Sequence, residues 1–250
     1  MATSRTSDVR RRTSASREPR AESRELIVCA AANELRDGDI VFVGIGLPSL
    51  ACNLARATHA PGVVLVYESG TIDTRPARLP LSIGDPALVT GAAMVAPMAD
   101  VFQFLLQRGH IDVGFLGAAQ VDRSGNINTT VVGPYATPTV RLPGSGGAAE
   151  IAALAKRVLV VTNLERRAFP ARVDFVTSPG PRVRRVITDK CIFDRDDERN
   201  ELVLSALFAG VSVDDVRANI AWDLRVAPSI ATIAAPNKSQ LRALKRLRAT

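Results

Sequence analysis

The chain has 250 residues, of which 46% are hydrophobic and 23% charged, a composition typical of a globular protein with a sizeable core. Aromatic residues make up only 4%, which argues against a base-stacking surface for single-stranded nucleic acid. The net charge of +7 is concentrated at one end, because residues 1–20 carry six arginines against two acids and leave +3 for the 230 residues that follow. This charge therefore does not indicate a nucleic-acid-binding protein.

The N-terminal segment differs in composition from the rest of the chain. Residues 1–22 are rich in Ser and Arg and nearly free of apolar residues, so we expect a disordered basic tail. No apolar h-region is found there, and no secretory signal is expected. An organellar transit peptide shares this bias, but a solvated tail or a poorly chosen start codon is the simpler explanation. Residues 23–250 are expected to form one domain.

The cysteines and histidines indicate neither disulfides nor a metal centre. Cys29, Cys52 and Cys191 are widely spaced and lie in no CxxC motif, as is usual for reduced thiols of a cytoplasmic protein. His59 and His110 lie beside turn-like sequences, which do not favour a histidine metal site or a Ser-His triad. No run is long and apolar enough to span a membrane. We therefore expect a cytoplasmic protein that binds no metal.

The first elements predict a helix, a strand, a glycine turn and a second helix. Residues 23–35 have an amphipathic pattern with Ser23 placed as N-cap. Ile40–Val43 is an apolar run typical of a buried strand, and it leads into Gly44-Ile45-Gly46 and a helix expected over Ser49–Ala57. This arrangement presents backbone N–H groups to an anion, although a tight βα turn without a ligand has the same pattern.

A carboxylate follows the next predicted strand directly. Val63–Val66 is a continuous apolar run, and Tyr67-Glu68-Ser69-Gly70 comes after it. Glu68 thus falls at the carboxyl end of a strand, where open α/β sheets bind their ligands. The alternative is a surface carboxylate paired with an arginine. Residues 71–85, rich in Pro and Gly, form a long loop of the kind that often binds ligands.

The middle of the chain again predicts a helix, strands and a glycine-rich turn. A helix is expected over Asp100–Gly109, a strand over Ile111–Leu116 and another strand over Val158–Val161. Between them, Leu142–Ala148 contains glycines at positions 144, 146 and 147, which leave backbone N–H groups unobstructed. An oxyanion or a phosphate requires such groups, although a flexible linker has the same composition.

The C-terminal part predicts mainly β structure. Val186–Phe193 and Glu201–Leu207 have the pattern of an antiparallel pair around a charged turn. Ser212, followed by two acids, predicts the N-cap of a helix that continues to about Ile220. Residues 237–248 form a basic pattern with a leucine stripe, which indicates a surface helix docked through its leucines. No internal repeat is found.

Taken in order, these segments resemble the β subunit of family I coenzyme A-transferases, most closely the glutaconate CoA-transferase type. The resemblance extends from about residue 29 to residue 226, and several motifs in the same order are more specific than any one alone. The motifs are Val43-Gly44-Ile45-Gly46-Leu47-Pro48, Glu68-Ser69-Gly70, Ser82-Ile83-Gly84-Asp85, Gly117-Ala118-Ala119-Gln120-Val121-Asp122, Gly125-Asn126-Ile127-Asn128, Gly144-Ser145-Gly146-Gly147-Ala148, Arg166-Arg167, Val173-Asp174-Phe175-Val176-Thr177-Ser178-Pro179-Gly180 and Val186-Ile187-Thr188-Asp189.

The resemblance implies a fold and a set of site residues. The fold is an open, mostly parallel α/β sheet of the CoA-transferase and sugar-phosphate isomerase type, with helices on both faces and a β-rich C-terminal part. The glutamate of the family's ESG motif, which is the nucleophile, falls on Glu68. The oxyanion and CoA-binding residues would be Gly44, Gly46, Ser69, Gly70, Gly144, Ser145, Gly146, Gly147 and Ala148. The substrate would contact Gln120, Arg75 and Arg78, with surface solvation as the alternative for both arginines.

The resemblance also implies the reaction and its participants. Such enzymes move CoA between an acyl-CoA and a carboxylic acid, here a dicarboxylic or oxo acid, by a ping-pong route through a glutamyl-CoA thioester. Because the thioester is conserved, neither ATP nor a metal is needed, and CoA is a substrate rather than a permanently bound cofactor. The family's catalytic unit pairs an α with a β subunit, so an α-subunit partner is expected, in a heterotetramer or a larger assembly.

Two other functions remain open at this point. An acyl-CoA hydrolase or a ring-opening hydrolase would use the same scaffold, but the branch that cleaves steroid rings has lost the ESG glutamate that this chain keeps as Glu68. A non-catalytic structural subunit belongs to a different class, and it would tolerate Glu68→Ala with little change in turnover.

Overall fold

The computed structural model describes residues 18–249; residues 1–17 and Thr250 lie outside its described part. A ten-stranded mixed sheet forms its centre. The helices are α1 (Glu18–Ala32), α2 (Leu47–Arg56), α3 (Met98–Asp100), α4 (Ala148–Leu154), α5 (Val213–Ala218) and α6 (Lys238–Ala249). Helix α3 continues as a π-helical turn over Val101–Leu106, and Pro86–Val89 forms a 3₁₀ turn. Within residues 18–249, no helix has the length and hydropathy needed to cross a membrane.

In the described part of the chain, fourteen strands are distributed over the large sheet and two short ribbons. In the large sheet they are β1 (Ile40–Val43), β2 (Val64–Val66), β3 (Thr71–Ile72), β4 (Met94–Val95), β5 (Val113–Gly117), β10 (Arg157–Val161), β11 (Val183–Ile187), β12 (Cys191–Asp196), β13 (Glu201–Phe208) and β14 (Val226–Ile233). The ribbons pair β6 (Gln120–Val121) with β7 (Ile127–Asn128), and β8 (Val131–Val132) with β9 (Val140–Arg141).

The middle of the large sheet is a parallel unit. Its order is β14-β13-β12-β11-β10-β5-β1-β2-β3-β4, and the five strands from β11 to β2 all run in the same direction. Antiparallel strands flank this unit on both sides, and β14 pairs with β13 in parallel. The carboxyl ends of β2, β1, β5, β10 and β11 therefore lie along one edge, where ligands of open α/β sheets bind.

Helices cover both faces of the sheet, since successive strand residues point to opposite sides. Val41 and Val43 of β1 are buried against α1 and α2, while Phe42 is buried in a second cluster on the opposite face. That second cluster contains the buried apolar residues of α4, α5 and the π-helical turn, and α6 joins the first cluster through Leu244. The predicted α/β sheet with helices on both faces and a β-rich C-terminal part is confirmed.

Helix α1 begins earlier than the sequence pattern indicated. It starts at Glu18, so residues 18–22 are helical rather than part of a disordered tail, and Ser23 lies inside the helix instead of capping it. Pro19 fits the first turn because backbone N–H groups there have no acceptor within the helix. The rest of the predicted tail lies outside the described residues.

The predicted strand over Val186–Phe193 is wrong, because two strands occupy this stretch. Strand β11 ends at Ile187 and β12 begins at Cys191, so the chain reverses between them. The Thr188 hydroxyl oxygen accepts the N–H groups of Lys190 and Cys191, and apolar residues flank this turn on both sides. The antiparallel pairing of β12 with β13 is confirmed, and so is Ser212 as the N-cap of α5, where Asp215 completes a capping box.

Candidate active site

Glu68 lies at the carboxyl end of β2, in the short connection to β3. The backbone N–H of Gly70 donates to the Tyr67 carbonyl at 2.9 Å, and the Tyr67 N–H donates to the Thr71 carbonyl at 3.0 Å. Gly70 has φ +100° and lies against the backbone of Ala96, so a side chain at this position would overlap the Ala96 carbonyl oxygen. Glycine here lets the chain reverse within a few residues and leaves Glu68 at the tip of the connection.

The residue before Glu68 anchors this connection in the core. The Tyr67 side chain is fully buried, and its hydroxyl shares a hydrogen bond of 2.9 Å with the Ser49 hydroxyl of α2. Burial raises the pKa of Tyr67 to about 12, so the phenol remains neutral over the physiological range. The buried phenol thus anchors the backbone next to the Glu68 carboxylate.

The glycine turn that precedes α4 faces the Glu68 carboxylate. The Gly147 N–H donates to Glu68 Oε2 at 3.1 Å. A Cβ on Gly146, which has φ +47°, would lie 3.2 Å from Glu68 Oε1. A Cβ on Gly147 would overlap the Phe102 ring, which packs against the turn from the π-helical segment. The two glycines therefore let the backbone approach the carboxylate and the ring closely.

Two of the N–H groups in this turn are paired within the protein, and two others are available for a ligand. The Gly144 N–H donates to the Thr129 carbonyl at 2.8 Å, and the Ala148 N–H donates to the Ser145 carbonyl at 2.9 Å. Within residues 18–249, the N–H groups of Ser145 and Gly146 have no acceptor. Backbone donors placed beside a carboxylate are suited to bind the oxyanion that forms when that carboxylate attacks an acyl group.

A cavity of about 440 Å³ opens at this edge of the sheet, with Glu68 in its wall. Its other walls come from the ends of β1 and β5, from Thr129 and from the glycine turn. Glu68 is the only charged side chain among the described residues that line it. They are Phe42, Val43, Gly44, Ile45, Glu68, Ile83, Leu116, Gly117, Ala118, Ala119, Thr129, Leu142, Pro143, Gly144, Ser145, Ala148 and Ile151.

The structure gives the glycines after β1 different positions. Gly44 lines the cavity, but its N–H donates to the Phe115 carbonyl at 2.9 Å and belongs to the sheet. Gly46 is exposed at the beginning of α2, with φ +91°, and is not among the lining residues.

Ser69, next to the carboxylate, has a buried hydroxyl oxygen without a hydrogen-bond partner among the described residues.

Gln120 lies in a buried polar network rather than in the cavity wall. Its Nε2 donates to Asp174 Oδ2 at 2.9 Å, and its Oε1 accepts from Asn128 Nδ2 at 2.7 Å and from the Asp174 N–H at 3.1 Å. Only 4% of Gln120 is exposed. The side chain is thus committed to joining the β6–β7 ribbon to residue 174.

The two arginines of the loop after β3 also lie away from the cavity lining. Arg78 makes a bidentate ion pair with Asp85, with N···O distances of 2.6 and 2.9 Å. Hydrogen bonds from Arg78 and from the N–H groups of Leu81 and Ala87 hold the pKa of Asp85 well below its usual range. Arg75 contacts Asp73 at 3.6 Å, and 63% of its side chain is exposed.

Several residues at the site were not singled out from the sequence. The ends of β1 and β5 contribute Phe42 and Leu116, and the topological rule for strand ends could have indicated them. Thr129 borders the cavity, and Phe102 packs under the glycine turn, but no local pattern marks either of them. Among the described residues, no group of three or more His, Cys, Asp or Glu side chains is arranged to hold a metal ion.

Taken together, the geometry places a carboxylate opposite a turn that carries backbone donors. Glu68 is partly buried, borders an apolar cavity and accepts one N–H from the turn that carries two unpaired N–H groups. A carboxylate in such a place can attack an electrophilic carbonyl carbon and form a covalent acyl intermediate. The unpaired donors can stabilise the negative charge that develops on the carbonyl oxygen.

Comparison with known proteins identifies the family of this chain. Residues 24–219 match the family described as coenzyme A transferase. The chain is 47% identical over 240 residues to the B-type subunit of 3-oxoadipate CoA-transferase from Pseudomonas knackmussii, covering 90% of this chain and 92% of that protein. It is 30% identical over 243 residues to the B-type subunit of glutaconate CoA-transferase from Acidaminococcus fermentans, covering 89% and 91%.

A solved structure agrees as well. The crystal structure of glutaconate coenzyme A-transferase from Acidaminococcus fermentans matches with a TM-score of 0.82 at 28% sequence identity, over 89% of this chain and 93% of that one. Sequence and fold thus agree over nearly the whole described chain, and the resemblance that the motifs indicated is confirmed. The chain belongs to the coenzyme A transferase family, as a CoA-transferase subunit of the β type.

Proposed function

We propose that this chain carries the nucleophile of a CoA-transferase that works by a ping-pong mechanism through a glutamyl-CoA thioester on Glu68. The observation that carries the proposal is the contact of 3.1 Å between the Gly147 N–H and the Glu68 carboxylate, at the wall of an apolar cavity. A single nucleophile that receives CoA and then gives it away needs no cofactor to conserve the thioester.

In the first half-reaction, a Glu68 oxygen attacks the thioester carbonyl of the acyl-CoA, and the carbon–sulfur bond breaks. The products are an acyl-glutamyl anhydride and CoA thiolate. The thiolate then attacks the Glu68 carbonyl carbon of the anhydride, which releases the first acid and leaves CoA on Glu68 as a thioester. The acid departs with one oxygen that had belonged to Glu68.

In the second half-reaction, the incoming carboxylate attacks the Glu68 thioester and the same steps run in reverse. One oxygen of the incoming acid is thereby returned to Glu68, and the new acyl-CoA leaves. Each step passes through a tetrahedral intermediate with a negatively charged oxygen. We assign the stabilisation of this oxygen to the N–H groups of Ser145 and Gly146, because they are unpaired. Removing one donor of this kind typically lowers turnover by about 10²–10³.

We infer that the acceptor is a 3-oxo dicarboxylic acid such as 3-oxoadipate. The support is the 47% identity to a subunit named for that acid. Among the described residues that line the cavity none is basic, so the second carboxylate of such an acid would be bound by backbone N–H groups or by a partner. Both relatives are named as the B-type subunit of their enzyme, which favours an α subunit as this partner.

The test is mass spectrometry of the chain co-expressed with an α subunit of the same family and incubated with a panel of acyl-CoA thioesters. Trapping with hydroxylamine or borohydride would locate a thioester on Glu68. We expect modification of Glu68 with dicarboxylic acyl-CoAs and none in Glu68→Ala. An unmodified Glu68 with steady turnover would overturn the proposed mechanism.

The oxygen balance separates transfer from hydrolysis. With an acceptor acid labelled with ¹⁸O in its carboxylate, a transferase passes the label to Glu68 and, in later turnovers, to the acid released from the donor. A hydrolase would instead release CoA without an acceptor and would incorporate oxygen from water. Label from water in the released acid would therefore favour the hydrolase.

A further inference from the structure

We propose that Thr129 and Thr177 are positioning residues that hold the glycine turn at its working distance from Glu68. The proposal rests on the function proposed above, because it assigns these residues to the turn that would bind the oxyanion. Neither threonine touches the Glu68 carboxylate. Their effect would be exerted through Gly144, the residue that begins the turn.

Thr129 makes two hydrogen bonds to Gly144. The Gly144 N–H donates to the Thr129 carbonyl at 2.8 Å, and the Thr129 hydroxyl donates to the Gly144 carbonyl at 2.8 Å. Both polar groups of Gly144 are thereby fixed by one residue. Because Gly144 has φ +99°, in a region that glycine enters freely, this pair of hydrogen bonds selects one conformation from many.

Thr177 in turn fixes Thr129. Its hydroxyl oxygen accepts the Thr129 N–H at 2.9 Å and shares a hydrogen bond of 2.7 Å with the Thr130 hydroxyl. The backbone around Thr177 is itself bridged to Ile127, with hydrogen bonds of 2.9–3.1 Å in both directions. Only 8% of Thr177 is exposed, so these bonds are shielded from competing water.

The chain of contacts therefore has a defined order. The bridge at Ile127 holds Thr177, Thr177 holds Thr129, Thr129 holds Gly144, and the turn then presents its N–H groups to Glu68. A turn with glycines at three of four positions has little rigidity of its own. Displacement of a donor by about 1 Å can lower turnover by about a hundredfold, so the position of the turn matters to the chemistry.

The decisive variants are Thr129→Val and Thr129→Ser. Valine keeps the shape of the side chain and the backbone contacts but removes the hydroxyl donor to Gly144, whereas serine retains that donor. We expect Thr129→Val to lower kcat by about tenfold to a hundredfold with little change in the KM for acyl-CoA. Thr129→Ser should restore kcat to near the parent value.

A matched control is available in Thr58→Val. The Thr58 hydroxyl also donates to a backbone carbonyl, that of Leu54 at 2.7 Å, but it lies after α2 and does not line the cavity. This variant should leave kcat and KM unchanged. Hydrogen exchange provides a readout besides activity, since the Gly144 amide should exchange faster in Thr129→Val than in either Thr129→Ser or Thr58→Val.

Thr177→Val tests the second link and covers the case in which Thr129→Val does not fold. It leaves the Thr129 N–H without its acceptor, and we expect a smaller loss of kcat in the same direction. The proposal is overturned if Thr129→Val and Thr177→Val both keep parental kcat and parental exchange at Gly144. It is equally overturned if Thr129→Ser loses as much kcat as Thr129→Val.

The failure of the proposed function would look different. In that case the parent protein itself would form no thioester on Glu68, whatever residue stands at position 129. If the parent forms the thioester and Thr129→Val forms it at the same rate, the function stands and the positioning role falls. Rapid-quench mass spectrometry over a single turnover distinguishes these outcomes.

Discussion

The backbone N–H of Gly147 donates to Glu68 Oε2 at 3.1 Å, although 79 residues separate the two in the chain. One end of this contact is carried by the connection after β2 and the other by the turn before α4. The two elements meet because both lie at the carboxyl edge of the central parallel strands. The contact therefore forms only when both elements are in place and the site is assembled.

Replacement of Glu68 by glutamine should remove turnover while leaving the fold intact. Glutamine keeps the acceptor for the Gly147 N–H but is a far weaker nucleophile, so we expect kcat to fall by about a thousandfold or more. The melting temperature should stay near the parental value. Steady-state kinetics and trapping of the thioester measure the effect. Glu150→Gln, which removes an exposed carboxylate in the first turn of α4, is the control and should be silent.

Gly147→Ala should lower turnover because the added methyl group has no room. Its Cβ would overlap the Phe102 ring and lie 3.2 Å from Glu68 Oε2, so either the turn or the carboxylate must move. We expect kcat to fall by about a hundredfold. Gly84→Ala adds the same group in the exposed loop near the site, where nothing lies within 4 Å, and should retain activity. Equal activity of the two variants would contradict a role for the turn.

Gly70→Ala and Gly38→Ala separate backbone strain from steric overlap. Both glycines have positive φ, +100° and +84°, so both substitutions incur the strain of about 1–2 kcal/mol that an L-residue meets there. Only Gly70 has a backbone neighbour in the way, the Ala96 carbonyl oxygen, whereas nothing lies within 4 Å at Gly38. Thermal unfolding should show a clearly lower melting temperature for Gly70→Ala. Similar melting temperatures would show that the 67–71 connection can widen.

Asp85→Asn should destabilise the protein in a pH-dependent way. Hydrogen bonds from Arg78, Leu81 and Ala87 lower the pKa of Asp85 in the folded state below its unfolded value of about 3.9. The resulting stabilisation is fully present above about pH 4 and is lost as the pH falls through the folded pKa. The melting temperatures of parent and variant should therefore differ at pH 5–8 and converge in stronger acid.

The control for this variant is Asp214→Asn, whose carboxylate is 86% exposed and pairs with Arg217 one helical turn away. Exposed pairs of this kind contribute little to stability, so its melting temperature should follow the parental value across the same pH range. If the difference between Asp85→Asn and the parent stayed constant down to pH 2, ionisation of Asp85 would not be its cause.

Much of the fold could be predicted because the core strands carry their signal locally. Strand β1 coincides with the apolar run Ile40–Val43, and α5 begins at the capping box of Ser212. The turn at Thr188 was not predicted, because apolar residues flank it on both sides and suggested one continuous strand. Strand β14 was missed as well, since it lies at the edge of the sheet and no residue in it is fully buried.

The main residues of the candidate site were predictable from the sequence, but the contacts of its other candidates were not. Glu68 and Gly144–Ala148 were singled out by strand ends and glycine spacing, and the structure brings them together. Gln120 and Arg78 have residue types suited to binding a substrate, but the buried network and the ion pair with Asp85 depend on residues distant in sequence or hidden in a loop. A pattern in a single sequence indicates which interactions a side chain can make, but not which residue it contacts in the folded protein.

The long separation between Glu68 and the glycine turn bears on how the protein acquires its activity during synthesis. When Glu68 leaves the ribosome, the residues that face it have not yet been made, and α4 must follow β5 before the turn can dock. Pairing of parallel strands distant in sequence is slow compared with helix formation. The reactivity toward acyl-CoA that we propose for Glu68 should therefore arise late in folding and mark the completion of the central sheet.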